Sequence, residues 1–188
     1  MIRIALIGEI ASGKTFVAKC FGYPIFNADY EVKKIYKKNK NCFKKLNKLF
    51  PANIKNFPIR KSEVRSILNK KNVKILGKIV HPYVRLSLKK FLKKYNRSKF
   101  IVLDIPLLIE NKLNKKNDIL IYVKTQKKII LKRLKKRENY NKRVHSILKL
   151  KQFNINKKSK LCDYTIINNL DKKNVLRQIR RIKDVLND

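Results

Sequence analysis

The sequence has 188 residues, 50 of them Lys or Arg and 12 of them Asp or Glu, so its formal net charge is +38. No run approaches the roughly 18 apolar residues that a membrane span requires, and the first residues lack the pattern of a signal peptide. Cys20, Cys42 and Cys162 are far apart and form no CxxC pair, which excludes a disulfide framework and predicts reduced thiols in the cytoplasm. A chain of this length predicts one main domain with insertions.

The positive charge is spread along the whole chain. Lysines are mixed with asparagines and apolar residues, as in KKNKNCFKKLNKLF at 37–50. This mixture is typical of an A/T-rich coding sequence. It predicts a solvated basic surface that attracts anionic nucleotides and binds polyanions nonspecifically, without a dedicated nucleic-acid site.

Five short apolar segments have the pattern of buried strands. They lie at 2–7, 24–26, 100–105, 119–123 and 164–167. Helical patterns follow the first segment from residue 16 and then lie at 29–38, 72–95, 126–137, 144–152 and 172–186. Because short strands alternate with helices, the sequence predicts an α/β fold with a five-stranded parallel sheet flanked by helices.

Two intervals of the predicted domain, 1–188, are expected to be insertions. Residues 30–97 hold no convincing strand, and we expect them to form a helical insertion that carries an acceptor site. Residues 133–160 are dense in Lys and Arg, and we expect them to form a basic lid.

The segment GEIASGKT, residues 8–15, lies between the first strand and a helix and matches the phosphate-loop pattern GxxxxGK[ST]. Gly8 and Gly13 permit backbone conformations in which consecutive N–H groups surround an anion. Lys14 is expected to reach the β- and γ-phosphates, and Thr15 to bind Mg²⁺. The predicted nucleotide-binding residues are Gly8, Glu9, Ile10, Ala11, Ser12, Gly13, Lys14 and Thr15.

Two carboxylates follow predicted strands, at the edge of the sheet where doubly wound folds bind ligands. Asp29 follows the second strand, and it either orients and deprotonates an attacking hydroxyl or caps the next helix, a role that also suits Asn27. Asp104 ends the third strand, where a carboxylate can hold the water shell of Mg²⁺ beside Thr15.

Three further candidate functional residues, two arginines and a histidine, lie outside the phosphate loop. Arg133 and Arg137 are one helical turn apart, so they either clamp the γ-phosphate or belong to a solvated basic face. His81 precedes Pro82 between helical flanks and is either structural or part of an acceptor site.

The segment NKKND at 114–118 is one residue out of step with the guanine-reading NKxD, which disfavours a GTPase.

The order and spacing of these motifs resemble those of the dephospho-coenzyme A kinase family over nearly the whole chain. The run PLL-x-E is the most specific to that family, whereas the phosphate loop occurs in many families. The motifs are GEIASGKT, NAD at 27–29, HPYV at 81–84, DIPLLIEN at 104–111, R-x-x-x-R at 133–137, Gln152 and CDYTIINN at 162–169.

The resemblance implies a P-loop NTPase-type three-layer sandwich and the transfer of a phosphoryl group from ATP to the ribose 3′-hydroxyl of dephospho-CoA, with Mg²⁺ as cofactor. It implies catalytic roles for Asp29, Lys14, Arg133 and Arg137, and binding of Mg²⁺ by Thr15 and, through water, by Asp104. The implied acceptor-binding residues are Asp29, His81, Pro106, Leu107, Leu108 and Glu110. The expected partners are these two substrates, without a membrane or a specific nucleic acid, and the protein is expected to be a monomer or a weak homo-oligomer.

The sequence departs from the usual pattern of that family at four positions. Glu9 and Ala11 stand where its phosphate loop usually has glycines, Asn27 replaces an aspartate, and Ile130 stands where Gln is frequent. We expect Ala11 to be tolerated if its φ is negative, and Glu9 if its side chain turns toward a lysine or toward solvent.

Two other functions stay open on the sequence. A P-loop kinase that acts on a nucleoside monophosphate or another small hydroxylated metabolite would share the phosphate loop but not the PLL-x-E run. A nucleic-acid-binding protein that senses nucleotide would need a contiguous basic stripe with aromatic platforms, whereas Tyr and Phe here fall largely at apolar-periodic positions.

Overall fold

The computed structural model describes residues 1–136, 146, 147, 150, 152 and 154–187, without the side chains of 155 and 156. The described residues form two compact units. Residues 1–27, 95–136 and those from 150 onward form the first, here called the sheet unit, and residues 28–94 with 146 and 147 form the second, here called the helical unit.

The sheet unit is built on five parallel strands in the order β2-β3-β1-β4-β5. The strands are β1 (Ile2–Ile7), β2 (Ile25–Asn27), β3 (Phe100–Asp104), β4 (Ile119–Lys124) and β5 (Tyr164–Ile167). All five residues of β3 are buried, as expected of a central strand covered on both faces. The predicted α/β fold and its five-stranded parallel sheet are therefore confirmed.

The described part of the sheet unit contains four helices. They are α1 (Lys14–Cys20), α6 (Lys127–Lys135), α7 (Ile155–Ser159) and α8 (Lys172–Asn187). Val175, Ile179 and Ile182 recur at helical spacing along α8 and pack with Val17 of α1 against the apolar side chains of the strands. The resulting core has no charged member, so the lysines of these helices lie outside it.

The described part of the helical unit contains α2 (Ala28–Lys38), α3 (Lys40–Leu49), α4 (Lys61–Ser66) and α5 (Asn72–Lys94). Leu76, Val80, Val84 and Leu88 are buried at four-residue spacing along α5, the pattern of one apolar helix face. Within residues 28–94 the structure has no strand.

The helix α3 was not predicted. Its N-terminus is capped by the side chain of Asn39, which accepts a hydrogen bond of 2.8 Å from the backbone N–H of Cys42. Cys42 and Leu46 are buried one turn apart. The capping residue and the apolar spacing are both present in the sequence. The stripe is short and surrounded by lysines, so the segment lacks a clear helical pattern of apolar residues.

Part of the predicted lid, 133–160, lies outside the described residues, and so does most of the helix predicted at 144–152. The boundaries of the lid and of the helical insertion, 30–97, therefore stay predictions. Within the part of the chain that the structure describes, no helix is both long and apolar enough to cross a membrane.

The three cysteines have no disulfide partner. Burial raises the pKa of Cys42 to about 11, with Lys45 opposing the shift. It also raises the pKa of Cys162 to about 11, an effect to which Asp163 adds. Both thiols therefore stay protonated near neutral pH and are poor nucleophiles.

A buried ion pair ties β1 to the turn before β4. Arg3 Nη2 donates to Asp118 Oδ2 at 2.8 Å and to the carbonyl oxygen of Leu113 at 3.0 Å. The Arg3 and Asp118 side chains are only 8% and 2% exposed. Burial raises the pKa of Asp118, while the Lys115 backbone N–H and the Arg3 guanidinium oppose the shift. Desolvation therefore offsets much of the attraction within the pair.

We expect Asp118→Asn to lower the free energy of unfolding by about 3–5 kcal/mol, because it leaves the Arg3 cation buried without its counter-charge. The double variant Arg3→Met, Asp118→Leu should recover most of this loss, since neither charge then needs to be desolvated. Urea unfolding measures the free energy of unfolding of the single and the double variant. Asp184→Asn, on the exposed face of α8, is the control. A single variant as stable as the parent would contradict this account of the pair.

Candidate active site

The phosphate loop follows β1 directly and ends where α1 begins, at Lys14. Gly13 has φ 89°, a left-handed conformation that favours glycine. Most of the loop is enclosed: Gly8, Ala11, Ser12 and Lys14 are buried, Glu9, Ile10 and Gly13 are half-buried, and Thr15 is exposed.

Ala11 does not have the negative φ that we expected, because its φ is 66°. A non-glycine residue in this region is strained by about 1–2 kcal/mol. The Ala11 side chain is buried in a small apolar cluster with Ile130 and Leu134 of α6, and burying one methyl group contributes about 0.8 kcal/mol. Packing against α6 therefore offsets part of the strain.

Glu9 contributes to the site mainly through its backbone. Its carbonyl oxygen accepts a hydrogen bond from Lys14 Nζ at 2.9 Å, and the Gly8 carbonyl oxygen accepts one at 3.1 Å. The Glu9 side chain is half-buried. Its carboxylate is near Tyr122, where it adds to the effect of burial in raising the pKa of that phenol.

Asp104 joins three segments at the carboxyl edge of the sheet. Its Oδ2 accepts hydrogen bonds from Thr15 Oγ1 at 2.5 Å and from Asn27 Nδ2 at 2.6 Å. Asp104 is only 3% exposed, so these two donors fix the direction of its carboxylate. The Asp104 carboxylate and Thr15 hydroxyl are the oxygen donors that Mg²⁺ prefers.

The described residues contain no group of three or more His, Cys, Asp or Glu side chains that could hold a metal ion. A site with one hydroxyl and one carboxylate fits a metal ion that arrives with a nucleotide, because Mg²⁺ at such sites takes its other ligands from phosphates and water.

Arg133 lies against the phosphate loop. Its Nη1 donates to the carbonyl oxygens of Ser12 at 2.9 Å and of Ala11 at 3.3 Å, and its Nη2 donates to Asn168 Oδ1 at 3.4 Å. Burial lowers the pKa of Arg133. The guanidinium is thus part of the loop's support, whereas Arg137 lies outside the described residues.

Thr125 and Asn168 also contact the loop. The sequence analysis did not consider Thr125, and it included Asn168 in CDYTIINN without giving it a role. Each follows a strand directly, Thr125 after β4 and Asn168 after β5. Both donate to the carbonyl oxygen of Ser12, at 2.9 Å and 2.8 Å. A polar residue at a strand's carboxyl end is the signal that identified Asp104, and it was available here too.

The predicted acceptor residues of the sheet unit follow β3. Leu108 is buried, while Pro106 and Leu107 are half-buried. The Glu110 carboxylate forms an ion pair with Lys158 of α7, and both side chains are almost fully buried. This carboxylate is thus engaged within the unit, and the acceptor-binding roles of all four residues stay predictions.

Two predicted residues belong to the helical unit. Asp29 is exposed in the first turn of α2. Because that helix begins at Ala28, Asp29 lies inside the helix and is not its N-cap. His81 is half-buried on α5, where a Cβ at Gly77 would come within 3.3 Å of its ring, so the glycine leaves room for the imidazole. The roles of Asp29 and His81 stay predictions.

Comparisons with known proteins identify the family. The family model described as dephospho-CoA kinase matches residues 2–174. The chain is 37% identical to the dephospho-CoA kinase of Bartonella henselae over 127 residues, which are 64% of this chain and 65% of that protein. The chain thus spans just under two thirds of the length of this relative.

Solved structures agree with the fold. The crystal structure of TT1252 from Thermus thermophilus superposes with a TM-score of 0.76 at 25% identity, covering 99% of this chain and 96% of that one. The dephospho-CoA kinase from Campylobacter jejuni superposes with a TM-score of 0.61 at 21% identity, covering 98% and 96%. The resemblance in the motifs is confirmed by the family match over residues 2–174, and the chain belongs to the dephospho-CoA kinase family.

Proposed function

We propose that the protein transfers the γ-phosphoryl group of ATP to the ribose 3′-hydroxyl of dephospho-CoA, which gives coenzyme A. The observation that carries the proposal is the contact of Thr15, at the end of the phosphate loop, with Asp104, in a chain of the dephospho-CoA kinase family. We further propose that the reaction occurs in the cytoplasm and that the protein is a monomer or a weak homo-oligomer.

The phosphate loop would bind the β- and γ-phosphates of ATP. Its backbone N–H groups and the positive end of α1 favour an anion at this position. The Lys14 ammonium already lies beside the loop, held by the carbonyl oxygens of Gly8 and Glu9. On nucleotide binding it would exchange these acceptors for phosphate oxygens, which are stronger partners because they are charged.

Thr15 and Asp104 would hold the metal ion of the nucleotide. The Thr15 hydroxyl would bind Mg²⁺ through an oxygen lone pair while it keeps its proton and donates it in the hydrogen bond to Asp104, and Asp104 would bind through a water molecule. Asn27 keeps the carboxylate in this orientation by its hydrogen bond. When bound, Mg²⁺ neutralises charge on the β- and γ-phosphate oxygens.

Asp29 would orient and deprotonate the attacking 3′-hydroxyl. Phosphoryl transfer has a loose transition state, so the position of the hydroxyl matters more than the strength of the base. Asp29 is exposed in the first turn of α2. Arg133 would exchange its carbonyl partners in the loop for phosphate oxygens and, with Arg137, would balance the charge that spreads over the transferring group. His81, Pro106, Leu107, Leu108 and Glu110 would bind or support the acceptor.

The acceptor is tested by a coupled assay of ADP release with ATP, Mg²⁺ and a panel of dephospho-CoA, nucleoside monophosphates and small hydroxylated metabolites. We expect turnover with dephospho-CoA, and its loss when a chelator removes Mg²⁺, because the metal ion would neutralise charge on the β- and γ-phosphate oxygens in addition to Lys14 and the loop N–H groups. Faster turnover with a nucleoside monophosphate, or a rate independent of any acceptor, would contradict the proposal.

We expect Asp29→Asn to lower kcat by about 10²–10⁴-fold, the usual contribution of a positioned proton acceptor. The dissociation constant for ATP should stay nearly unchanged, because Asp29 serves the acceptor. Steady-state kinetics and equilibrium binding of ATP measure the two effects. Glu31→Gln in the same helical turn is the matched control, and a near-normal kcat for Asp29→Asn would remove this residue from the mechanism.

A further inference from the structure

The carbonyl oxygen of Ser12 accepts three hydrogen bonds from side chains. The donors are Thr125 Oγ1 at 2.9 Å, Arg133 Nη1 at 2.9 Å and Asn168 Nδ2 at 2.8 Å. A backbone carbonyl oxygen has two lone pairs, so three donors at short distance fix its direction more firmly than an ordinary contact does.

The direction of this carbonyl sets the direction of the next N–H group. The Ser12 C=O and the Gly13 N–H belong to one planar trans peptide, in which they point to opposite sides. Since the donors hold the oxygen on one side, the Gly13 N–H is turned to the other. The Ser12 backbone N–H is held separately by the Glu9 carbonyl oxygen at 3.1 Å.

The donors are themselves held in place. Asn168 is 1% exposed, and its backbone N–H donates to the Lys124 carbonyl oxygen at 2.9 Å. Thr125 Oγ1 also contacts the Asn168 carbonyl oxygen at 3.2 Å. Because Thr125 and Asn168 directly follow β4 and β5, they tie the phosphate loop to the ends of these two strands.

The same side chains restrict which residue can occupy position 13. A Cβ at this position would lie 2.3 Å from Asn168 Nδ2 and 3.0 Å from Arg133 Nη1. The glycine is therefore required by the approach of these side chains as well as by its positive φ.

We propose that Thr125 and Asn168 are positioning residues for the nucleotide: they hold the Ser12–Gly13 peptide in its phosphate-binding orientation before the nucleotide arrives. The proposal rests on the proposed use of the loop for ATP, but it does not depend on the identity of the acceptor. Preorganisation of this kind raises affinity because the ordering of the loop is not required at the moment of binding.

The test compares variants of the full chain by calorimetric titration with ADP. We expect Asn168→Ala to raise the dissociation constant for ADP about tenfold, and Thr125→Val to raise it by about three- to tenfold, the effect of one hydrogen bond. Thr125→Ser keeps the hydroxyl and should bind ADP as the parent does. Asn169→Ala, in the same turn, is the control, since its side chain contacts the Gln126 backbone N–H.

Hydrogen exchange without nucleotide separates positioning from a general loss of stability. We expect faster exchange of the backbone amides of the phosphate loop in Asn168→Ala and Thr125→Val, with unchanged exchange in β1 and β3. Equal acceleration throughout the sheet, or unchanged ADP affinity in both variants, would overturn the proposal. If Asn168→Ala does not fold, the comparison of ADP affinity between Thr125→Val and Thr125→Ser tests the proposal.

The outcome is separate from that of the acceptor assay. A protein that binds ADP through this loop, with the expected losses in the two variants, supports the positioning role even if dephospho-CoA proves not to be its acceptor.

Discussion

A parallel sheet brings the carboxyl ends of all its strands to one edge, and this constraint organises the chemistry of the sheet unit. The phosphate loop follows β1, Asn27 ends β2, Asp104 ends β3, and Thr125 and Asn168 follow β4 and β5. These groups are joined by hydrogen bonds into two sets, one around the Asp104 carboxylate and one around the Ser12 carbonyl oxygen. Each strand thus ends in, or leads into, a polar group of the site. The buried apolar residues of the strands hold these groups in place.

The departures from the usual family pattern are partly explained by local packing. Ala11, which replaces a glycine, and Ile130, which stands where Gln is frequent, share one apolar cluster. The contact between them compensates in part for the positive φ of Ala11. Asn27 donates to Asp104, where an aspartate would bring a second negative charge against the first. Ala11 and Ile130 therefore fit each other, and Asn27 fits the Asp104 carboxylate.

Much of the sheet unit could be predicted from the sequence, because apolar runs and the glycines of the phosphate loop are local signals. The five strands and α8 lie within a residue or two of their predicted positions. The helix α3 was missed because lysines surround its short apolar stripe. The position of Thr125 and Asn168 at the carboxyl edge of the sheet could have been predicted, because each follows a strand as Asp104 ends one. Their hydrogen bonds and those of Arg133 with the loop could not, since they depend on which backbone carbonyl oxygen each side chain meets in space.

The central claim is that a phosphoryl group moves from the phosphate loop to a sugar hydroxyl. It is tested most directly with ATP labelled in its γ-phosphate, supplied with Mg²⁺ and dephospho-CoA, followed by identification of the labelled product. The account predicts one label per product molecule, on the ribose 3′-oxygen. Label that stays in ATP, or is released as inorganic phosphate at the same rate with and without dephospho-CoA, would contradict it.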